Sequence, residues 1–391
     1  MRLSRRVQGF TESVIREMTR VCMQHNGVNL AQGMPNFRPP QVLVDAAHKA
    51  LDGDFHQYAI TWGAPSLRRA IAEKYRTFYG MDVDPERHVT VCCGSTETML
   101  STLLAVLNPG DQVIVFEPFY ENYGPGCIIS GAEPIWVPLE PPEFAFDPER
   151  LRRAVTPRTR AIVFNSPNNP SGRVFSRADL EAIADLCRER DLLAITDEIY
   201  EHIVYDGLDH TPIATLPGMA GRTITISGIS KSYSVTGWRI GWAVAPDEIS
   251  AGIRRAHDFI TVGAPHPLQE AAVTALGLPD EYYVGLREAY QARRDLLLDY
   301  VERAGFVAWK PRGAYYILTD AAHFLKALGL EDDTAFAMYL VKEIGVATVP
   351  GSSFYAHPEL GRTKIRFCFP KTDDMLRDAG ERLLKLRAVA R

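Results

Sequence analysis

The sequence predicts an α/β fold: a mostly parallel sheet of seven strands between helices, followed by a smaller α+β domain. Two observations lead to this prediction. Seven short apolar runs have the length of buried strands, and amphipathic helical patterns separate several of them, which is typical of a sheet covered on both faces. Beyond residue 280 the pattern changes to one long charged helix and then to short strands and further helices.

The predicted strands are residues 89–92, 112–116, 135–138, 161–164, 192–196, 223–226 and 240–244. The helices with the clearest limits are residues 65–79, 96–107, 176–190 and 281–303. In the first helix, apolar side chains recur on one face and Gly80 follows where a left-handed C-terminal cap is expected. In the third, Ser176 and Asp179 have the spacing of a capping box. These limits predict three units: an N-terminal segment at 1–45 that packs with the small domain, a large domain at 46–280 and a small C-terminal domain at 281–391.

Charge and composition exclude several classes of partner. The 391 residues include 43 Lys plus Arg and 48 Asp plus Glu, so the net charge is −5 and favours neither nucleic acid nor an anionic membrane. No apolar stretch has the roughly 20 residues of a membrane span, and the N-terminus lacks the layout of a secretory signal. The six scattered cysteines have neither zinc-site nor disulfide spacing. We therefore expect a cytoplasmic protein without a metal.

The most informative stretch for chemistry follows the apolar run at 223–226. It contains Ser227, Ser230 and Lys231 among small residues, and Arg239 eight residues after the lysine. Lys231 is either a solvated loop lysine or a Schiff-base lysine, because an amine in a desolvated pocket is nucleophilic near neutral pH. In the second case the two serines and Arg239 would donate hydrogen bonds to a phosphate.

A second signal is a carboxylate at the end of a predicted strand. The run at 192–196 is followed by Asp197, with Tyr200 three residues later. The carboxyl ends of strands line the ligand crevice of open α/β sheets, so Asp197 could pair with a protonated ring nitrogen and Tyr200 with a phenolic oxygen. The alternative is an aspartate that caps the N-terminus of a helix.

Two weaker signals also follow predicted strands. The segment 165–172 reads Asn-Ser-Pro-Asn-Asn-Pro-Ser-Gly and is by itself a turn. Gly94, Ser95 and Thr96 open a helix, whose free N–H groups and dipole favour an anion.

Arg366 lies in a strand-like segment at 365–369. A strand period places three apolar side chains on one face and Arg366 beside Cys368 on the other. A guanidinium among apolar neighbours indicates a planar anion, and its fork matches a carboxylate. The alternative is an arginine on a solvated sheet face.

These segments together, with Glu117-Pro118-Phe119-Tyr120, resemble the class I aminotransferases, which are pyridoxal phosphate enzymes of fold type I. The resemblance extends from Gln32-Gly33 to residue 369. Within the family, the segments at 200–207, 216–219 and 365–369 are most similar to the kynurenine, glutamine and methionine aminotransferase branch.

The resemblance implies a role for each matching residue. Lys231 would form the internal aldimine with pyridoxal 5′-phosphate and then move the substrate's Cα proton, while Asp197 would keep the ring nitrogen protonated. Tyr200 and Asn169 would hydrogen-bond the phenolic oxygen, and Tyr120 would stack on the ring of the cofactor. The phosphate would be held by Ser95, Thr96, Ser227, Ser230 and Arg239.

The resemblance also implies how substrate and subunits are arranged. Arg366 would bind the substrate α-carboxylate, with Asn169 and the Gly33 backbone near it. The family's members are dimers, so Tyr58 would reach the phosphate of a partner subunit in a homodimer. Tyr58 as an ordinary core aromatic is the alternative.

We therefore expect an aminotransferase with a ping-pong cycle between an L-amino acid and a 2-oxo acid. The donor is expected to be aromatic, kynurenine, methionine, glutamine or aspartate-like, and no second substrate-binding arginine is identified. A C–S lyase acting at the β or γ carbon, or a specialised biosynthetic enzyme on the same scaffold, is the alternative. A transcriptional regulator with an aminotransferase-like domain is a third hypothesis, which the acidic net charge and the lack of room for a DNA-binding module disfavour.

Overall fold

A computed structural model describes residues 4–8, 10 and 12–389 of the chain. Residues 1–3, 9 and 11 of the predicted N-terminal segment and residues 390–391 of the predicted small domain lie outside the described residues. In the described ranges we found no helix with both the length and the apolar character needed to cross a bilayer.

The strands, in chain order, are β1 (Val28–Asn29), β2 (Val89–Cys92), β3 (Gln112–Glu117), β4 (Glu133–Pro138), β5 (Thr159–Asn165), β6 (Leu193–Asp197), β7 (Thr223–Gly228), β8 (Gly241–Val244), β9 (Val307–Trp309), β10 (Tyr316–Asp320), β11 (Val346–Ala347), β12 (Val349–Pro350) and β13 (Lys364–Cys368). The α-helices are α1 (Arg5–Gln8), α2 (Val14–Gln24), α3 (Gln41–Leu51), α4 (Pro65–Tyr79), α5 (Ser95–Val106), α6 (Tyr123–Ser130), α7 (Pro148–Ala154), α8 (Arg177–Arg190), α9 (Asp247–Thr261), α10 (His266–Leu276), α11 (Asp280–Ala304), α12 (Ala322–Leu328), α13 (Asp333–Tyr339) and α14 (Asp373–Leu383).

Short helices of other types complete the structure. Residues Leu340–Ile344 form a π-helical turn that follows α13 directly. The short 3₁₀ helices are Ile213–Thr215, Ala220–Arg222, Thr236–Trp238, Gly351–Phe354, Pro358–Leu360 and Leu384–Ala388.

The large sheet has seven strands in the order β2-β8-β7-β6-β5-β3-β4. Strand β8 is antiparallel to both of its neighbours, and the other pairs are parallel. The predicted fold class is therefore confirmed. Each of the seven predicted apolar runs is a strand of this sheet, and no strand end differs from the prediction by more than two residues.

Helices cover both faces of the sheet. Because the side chains of each strand alternate between faces, neighbouring residues of one strand contact different helices. From β3, Ile114 packs in a core cluster with Leu180 of α8. The neighbouring Val113 belongs to a different cluster, on the opposite face, with Leu103 of α5 and Ile253 of α9. Both faces are apolar, as expected for a parallel sheet buried between helices.

The helix ends follow the local sequence signals. Gly80 adopts the left-handed conformation with φ 64° and ends α4 at the predicted residue. Ser176 accepts a hydrogen bond from the Asp179 N–H and Asp179 accepts one in return, so the predicted capping box begins α8. The long charged helix predicted at 281–303 is α11.

A second sheet of four antiparallel strands, in the order β12-β13-β10-β9, comes from the C-terminal part of the chain. The N-terminal strand β1 pairs in parallel with β11, and Met18 and Cys22 of α2 share a core cluster with the C-terminal elements. These contacts support the proposed division at residues 45 and 280, with the N-terminal segment packed on the small domain, and the division stays a prediction.

Candidate active site

A cavity of about 400 Å³ lies at the carboxyl ends of the central strands. The carboxyl ends of β5, β6 and β7 lie side by side, because Asn165 of β5 pairs with Asp197 of β6 and Asp197 pairs with Ile226 of β7. Most of the predicted site residues line this cavity, namely Gly33, Ser95, Thr96, Tyr120, Asn169, Tyr200, Ser230, Lys231 and Arg239. The tertiary structure therefore brings together segments that are up to about 200 residues apart in sequence.

Lys231 points its amine into this cavity. Its Nζ lies 3.5 Å from the Gly33 carbonyl oxygen and 5.9 Å from the centre of the Tyr200 ring. Burial lowers the pKa of the Lys231 amine to about 8, since the attraction of Asp197 is weaker than burial and the charges of Arg239 and Arg366 act in the same direction as burial. A useful fraction of the amine is therefore neutral and nucleophilic near pH 7, which favours the Schiff-base role over a solvated loop lysine.

Asp197 is a buried carboxylate with defined hydrogen bonds. Its Oδ2 accepts from the Tyr123 hydroxyl at 2.8 Å and its Oδ1 accepts from the Ile199 N–H at 3.2 Å. Burial raises the pKa of Asp197 to about 6, against the effect of these two donors, so the group is largely ionised at pH 7. Residues 199–202 form turns and no helix follows β6 there, so the alternative of a helix-capping aspartate is wrong.

The start of helix α5 and Arg239 form one wall of the cavity, and this wall suits a dianion. Helix α5 begins at Ser95, and Gly94 caps it with φ 82° and no side chain of its own. A Cβ at Gly94 would overlap the Arg239 guanidinium, which donates to the Cys93 carbonyl oxygen at 3.3 Å and to the Thr236 carbonyl oxygen at 3.0 Å. Arg239 therefore lies directly against the free N–H groups and positive dipole end of α5, an arrangement that fits a phosphate.

Ser227 does not join this phosphate site. Its hydroxyl is fully buried and donates to Glu201 at 2.6 Å, and Glu201 also accepts from the Lys74 amine at 2.6 Å and from the Tyr79 hydroxyl at 2.7 Å. Ser227 therefore ties β7 to the turn after β6. The expected contact of Ser227 with a phosphate is not met in this structure, because Glu201 occupies its only donor.

Arg366 is a buried cation with neutral partners. Its Nη1 donates to Asn169 Oδ1 at 2.9 Å, its Nη2 donates to the Ala31 carbonyl oxygen at 2.6 Å, and its guanidinium lies 4.3 Å from the centre of the Tyr316 ring. Among the described residues it has no ion pair, and its buried Nε has no hydrogen-bond partner. A fully buried guanidinium excludes the alternative of a solvated sheet face. It needs an anion, and a substrate carboxylate beside Asn169 would supply one.

The ends of β5 and β6 are joined through Asn165. Its side-chain N–H donates to the Asp197 carbonyl oxygen at 2.7 Å, and its Oδ1 accepts from the Asn169 N–H at 2.7 Å. Tyr200 is held from the second sheet, since its hydroxyl lies 3.0 Å from the Tyr316 hydroxyl of β10. Asn169 is therefore fixed by the end of β5, and Tyr200 by β10.

Tyr120 and Tyr58 differ in exposure. Burial raises the pKa of Tyr120, whose hydroxyl is hydrogen-bonded with Thr96 beside the start of α5. Tyr58 is 83 % exposed and does not line the cavity of its own chain, so its alternative role as a core aromatic is wrong.

Several residues at the site were not identified from the sequence. Tyr123 follows Tyr120 by three residues at the start of α6, and that helical spacing is the signal that could have revealed it. Asn165 begins the turn segment 165–172 that follows a predicted strand, but no role was predicted for it, and Tyr316 lies in none of the predicted strands. Ser13 and Arg16, at the start of α2, also line the cavity, and no local motif marks them.

Comparison with known proteins identifies a family and relatives that bear aminotransferase names. A profile of the family described as aminotransferase class I and II matches residues 25–383. The probable N-succinyldiaminopimelate aminotransferase DapC of Mycobacterium tuberculosis is 40% identical over 389 residues, covering 97% of each chain. Human kynurenine–oxoglutarate transaminase 1 is 35% identical over 411 residues, covering 98% of this chain and 97% of its own.

A solved structure agrees with these relatives. The structure of N-succinyldiaminopimelate aminotransferase from Mycobacterium tuberculosis superposes with a TM-score of 0.94 at 40% identity, covering 98% of this chain and 100% of that one. The two chains therefore share one fold over nearly their whole length.

The variant Gly94→Ala tests the phosphate end of the cavity. The added methyl group displaces Arg239 from the start of α5, so we expect affinity for pyridoxal 5′-phosphate to fall about tenfold or more, as for the loss of a charge-assisted hydrogen bond. Absorbance titration of ligand-free protein measures it. Gly110→Ala is the matched control, because Gly110 has φ 90° with open space around its Cβ position. Equal losses in both variants would mean that backbone strain, and not the position of Arg239, sets the affinity.

The lowered pKa of Lys231 predicts a pH profile. Only the neutral amine reacts with trinitrobenzenesulfonate, so labelling of Lys231 in ligand-free protein should rise with pH through a midpoint near 8. A lysine peptide measured in parallel should have its midpoint near about 10.4. In Asp197→Asn the attracting charge is gone, so the midpoint should move to lower pH. Mass spectrometry of the labelled peptide gives the rates, and a Lys231 midpoint equal to that of the free peptide would contradict the burial argument.

Proposed function

The chain belongs to the class I and II aminotransferases, and we propose that the residues around its cavity carry out that family's reaction between an L-amino acid and a 2-oxo acid. It is a pyridoxal phosphate-dependent enzyme, as members of this family are. The observation that carries the assignment of residues is the Lys231 amine, with its pKa lowered to about 8, between a phosphate-binding helix end and the buried Arg366.

The residues present fit the cofactor at both of its ends. Arg239 and the start of α5 suit the phosphate, and the ionised Asp197 suits a protonated pyridine nitrogen. When bound, pyridoxal phosphate supplies a ring that accepts the electron pair left at Cα after a proton is removed. In our proposal Tyr120 lies against the face of that ring, with Tyr200 and Asn169 at its phenolic oxygen.

Lys231 is the proposed proton carrier. Its amine is neutral in a useful fraction of molecules near pH 7, and the neutral form accepts the Cα proton and later returns a proton to the cofactor side. The Gly33 carbonyl oxygen, 3.5 Å from Nζ, accepts a hydrogen bond from the amine and so helps to hold it in the cavity. The same residue serves both half-reactions, which occur in one site in turn.

Arg366 is the proposed ligand of the substrate α-carboxylate. Two of its five N–H groups are used by Asn169 and Ala31, and the others remain for a carboxylate. Holding the carboxylate and the amino group at once fixes rotation about the Cα–N bond, so the Cα–H bond can stand perpendicular to the cofactor ring. The Gly33 backbone, held by the Tyr315 hydroxyl at 2.7 Å, forms the neighbouring wall.

Comparison favours transamination over the lyase alternative, because the relatives described above bear aminotransferase names. Their names differ in substrate, N-succinyldiaminopimelate in one and kynurenine with oxoglutarate in the other. We propose an amino donor within the aromatic, kynurenine, methionine, glutamine or aspartate-like set. A cytoplasmic location is also proposed, supported by six cysteines that are free thiols in the structure.

We propose a homodimer with shared active sites, because several exposed apolar side chains lie on one surface. Tyr58, Ile60, Phe259, Ile260 and Val262 are all exposed, Tyr58 at 83 % and Phe259 at 92 %. The two segments adjoin, since the Thr61 hydroxyl donates to Asp258 at 3.3 Å. Exposed apolar side chains gathered on one surface favour contact with a second copy of the chain, and Tyr58 would then reach the partner's phosphate.

Replacing Lys231 tests the function directly. We expect Lys231→Ala to lower kcat for transamination by at least about a thousandfold, because both the nucleophile and the proton carrier are lost. Formation of glutamate from 2-oxoglutarate and a panel of amino acids measures it. Lys326→Ala, on the exposed side of α12, should retain wild-type activity. A Lys231→Ala protein that transaminates at the wild-type rate would refute the proposal, and pyruvate plus ammonia from a cysteine conjugate would indicate the lyase.

Mixing two variants that are impaired at different residues tests the shared sites. Tyr58→Ala removes the contact to the partner's site and should weaken activity about tenfold, as for one phosphate hydrogen bond. When Tyr58→Ala and Lys231→Ala subunits are mixed and allowed to exchange, one site of each hybrid dimer has both residues intact, so about a quarter of all sites should regain activity. Activity that only averages the two separate variants, or a monomer in analytical ultracentrifugation, would exclude a shared site.

A further inference from the structure

His257 and Glu97 form a buried pair beside the phosphate end of the cavity, and the proposed function gives neither of them a task. Glu97 lies in the first turn of α5, and His257 lies in the last part of α9. The His257 ring is fully buried, and its Nδ1 lies 3.1 Å and 3.0 Å from the two carboxylate oxygens of Glu97. The pair therefore joins α5, whose start faces the proposed phosphate site, to a helix that packs in the same core cluster.

Glu97 holds the turn between β2 and α5. Its Oε2 accepts from the Cys93 N–H at 2.9 Å, and its Oε1 accepts from the Ser101 hydroxyl. The Cys93 carbonyl oxygen accepts from Arg239 at 3.3 Å. Cys93 therefore lies between the Glu97 carboxylate and the Arg239 guanidinium. A shift of Glu97 would move both Arg239 and the N–H groups at the start of α5.

The hydrogen bonds of His257 indicate a hydrogen on both of its ring nitrogens. Burial raises the pKa of the Glu97 carboxyl, but the interactions with His257, together with its other donors, hold that pKa below its usual range. The carboxyl is therefore ionised at pH 7 and only accepts hydrogen bonds. The other ring nitrogen, Nε2, lies 3.1 Å from the Thr61 carbonyl oxygen, which also only accepts. The Thr261 hydroxyl, 3.1 Å from Nδ1, can accept as well as donate. The ring is therefore an imidazolium, and the pair is a salt bridge.

Thr61 connects this salt bridge to the segment that carries Tyr58. The Thr61 carbonyl oxygen accepts from His257, and Tyr58 lies three residues earlier in the chain. The Thr61 hydroxyl donates to Asp258, the residue after His257. In the proposed homodimer, Tyr58 reaches the phosphate in the partner's site. His257 therefore lies between the phosphate turn of its own site and the segment that serves the other site.

We propose that His257 is a positioning residue for the phosphate of pyridoxal 5′-phosphate. As an imidazolium it fixes Glu97, and Glu97 fixes the turn at Cys93. Through Thr61 the same ring fixes the segment that enters the proposed dimer contact. A buried salt bridge is suited to this task, because the loss of either partner leaves the other charge without compensation. This inference rests on the proposed function, since the phosphate must bind at Arg239 and the start of α5.

The affinity for pyridoxal 5′-phosphate measures the position of the turn. We expect His257→Leu to raise the Kd of ligand-free protein for the cofactor about tenfold or more, as for the loss of a charge-assisted hydrogen bond. His257→Gln keeps one neutral donor and should raise the Kd less. At saturating cofactor, kcat for transamination should stay within about threefold of wild type, because Lys231 and Arg366 are unchanged. Absorbance titration gives the Kd, and phosphorus NMR of the bound cofactor should show a shifted phosphate signal in both variants.

His210→Gln is the matched control. His210 is also buried, and its Nε2 lies 2.8 Å from the buried carboxylate of Glu198. Neither residue is among the described residues that line the cavity. His210→Gln should lower the thermal stability, as His257→Gln does, but leave the Kd for the cofactor within about twofold of wild type. Nitrogen NMR of ligand-free protein with isotope-labelled histidine tests the charge, since the signals missing in His257→Gln should belong to two protonated nitrogens.

The outcomes distinguish this inference from the proposed function. A Kd that rises equally in His257→Gln and His210→Gln, or in neither, would overturn the positioning role while transamination persists. An unprotonated ring nitrogen in His257 would overturn the salt bridge and the proposal with it. A copurifying metal ion that is lost in His257→Gln would have the same consequence, because Cys92, Glu97 and His257 offer three ligand atoms within 4.8 Å of one another. A wild-type protein that binds no cofactor would instead refute the proposed function, and this inference would fail with it.

Discussion

The buried carboxylate of Glu201 is the interaction on which the geometry of the site depends. It accepts hydrogen bonds from Lys74 of α4, Tyr79 at the end of α4 and Ser227 of β7. Burial opposes its ionisation, yet the charge of Lys74 and these donors lower the pKa of Glu201 to about 2. A paired charge in the interior holds its neighbours firmly, because breaking the pair leaves the other charge without compensation. Glu201 adjoins Tyr200, and Ser227 lies four residues before Lys231, so one ion pair fixes both segments.

In the active site, by contrast, the buried charges have no partner of opposite charge among the residues that the structure describes. Lys231 and Arg366 are buried or half-buried cations that have no ion pair within the described residues, and Asp197 is a buried anion with only neutral hydrogen-bond donors close to it. Such groups cost free energy in the free protein. A ligand with a phosphate, a protonated ring nitrogen and a carboxylate supplies the missing partners. Cofactor and substrate therefore gain binding free energy by pairing with charges that have no partner of opposite charge in the free protein. The charges of the surrounding scaffold are already paired.

Sequence patterns predicted the scaffold well because the scaffold follows from local rules. Apolar runs of strand length and helices with recognisable caps require only neighbouring residues, as with Gly80 or the Ser176 capping box. The resemblance to a family then identified most of the residues that line the cavity. Ser227 is a residue whose contact neither the local patterns nor the resemblance predicted correctly. It stands in the motif of Lys231, yet strand alternation and the position of Glu201, a residue from a different segment, direct its hydroxyl away from the cavity.

The sequence by itself determined the order of strands and helices, the chemical types at the strand ends and the presence of a lysine suited to a Schiff base. These depend on periodicity and on residue type, which are properties of short segments. Only the tertiary structure decided what the charged groups contact: Tyr123 donates to Asp197, Arg366 donates to Asn169, and Arg16 lines the cavity from the N-terminal helix. These contacts depend on distance and burial, and both arise from packing segments up to about 350 residues apart, which no local pattern encodes.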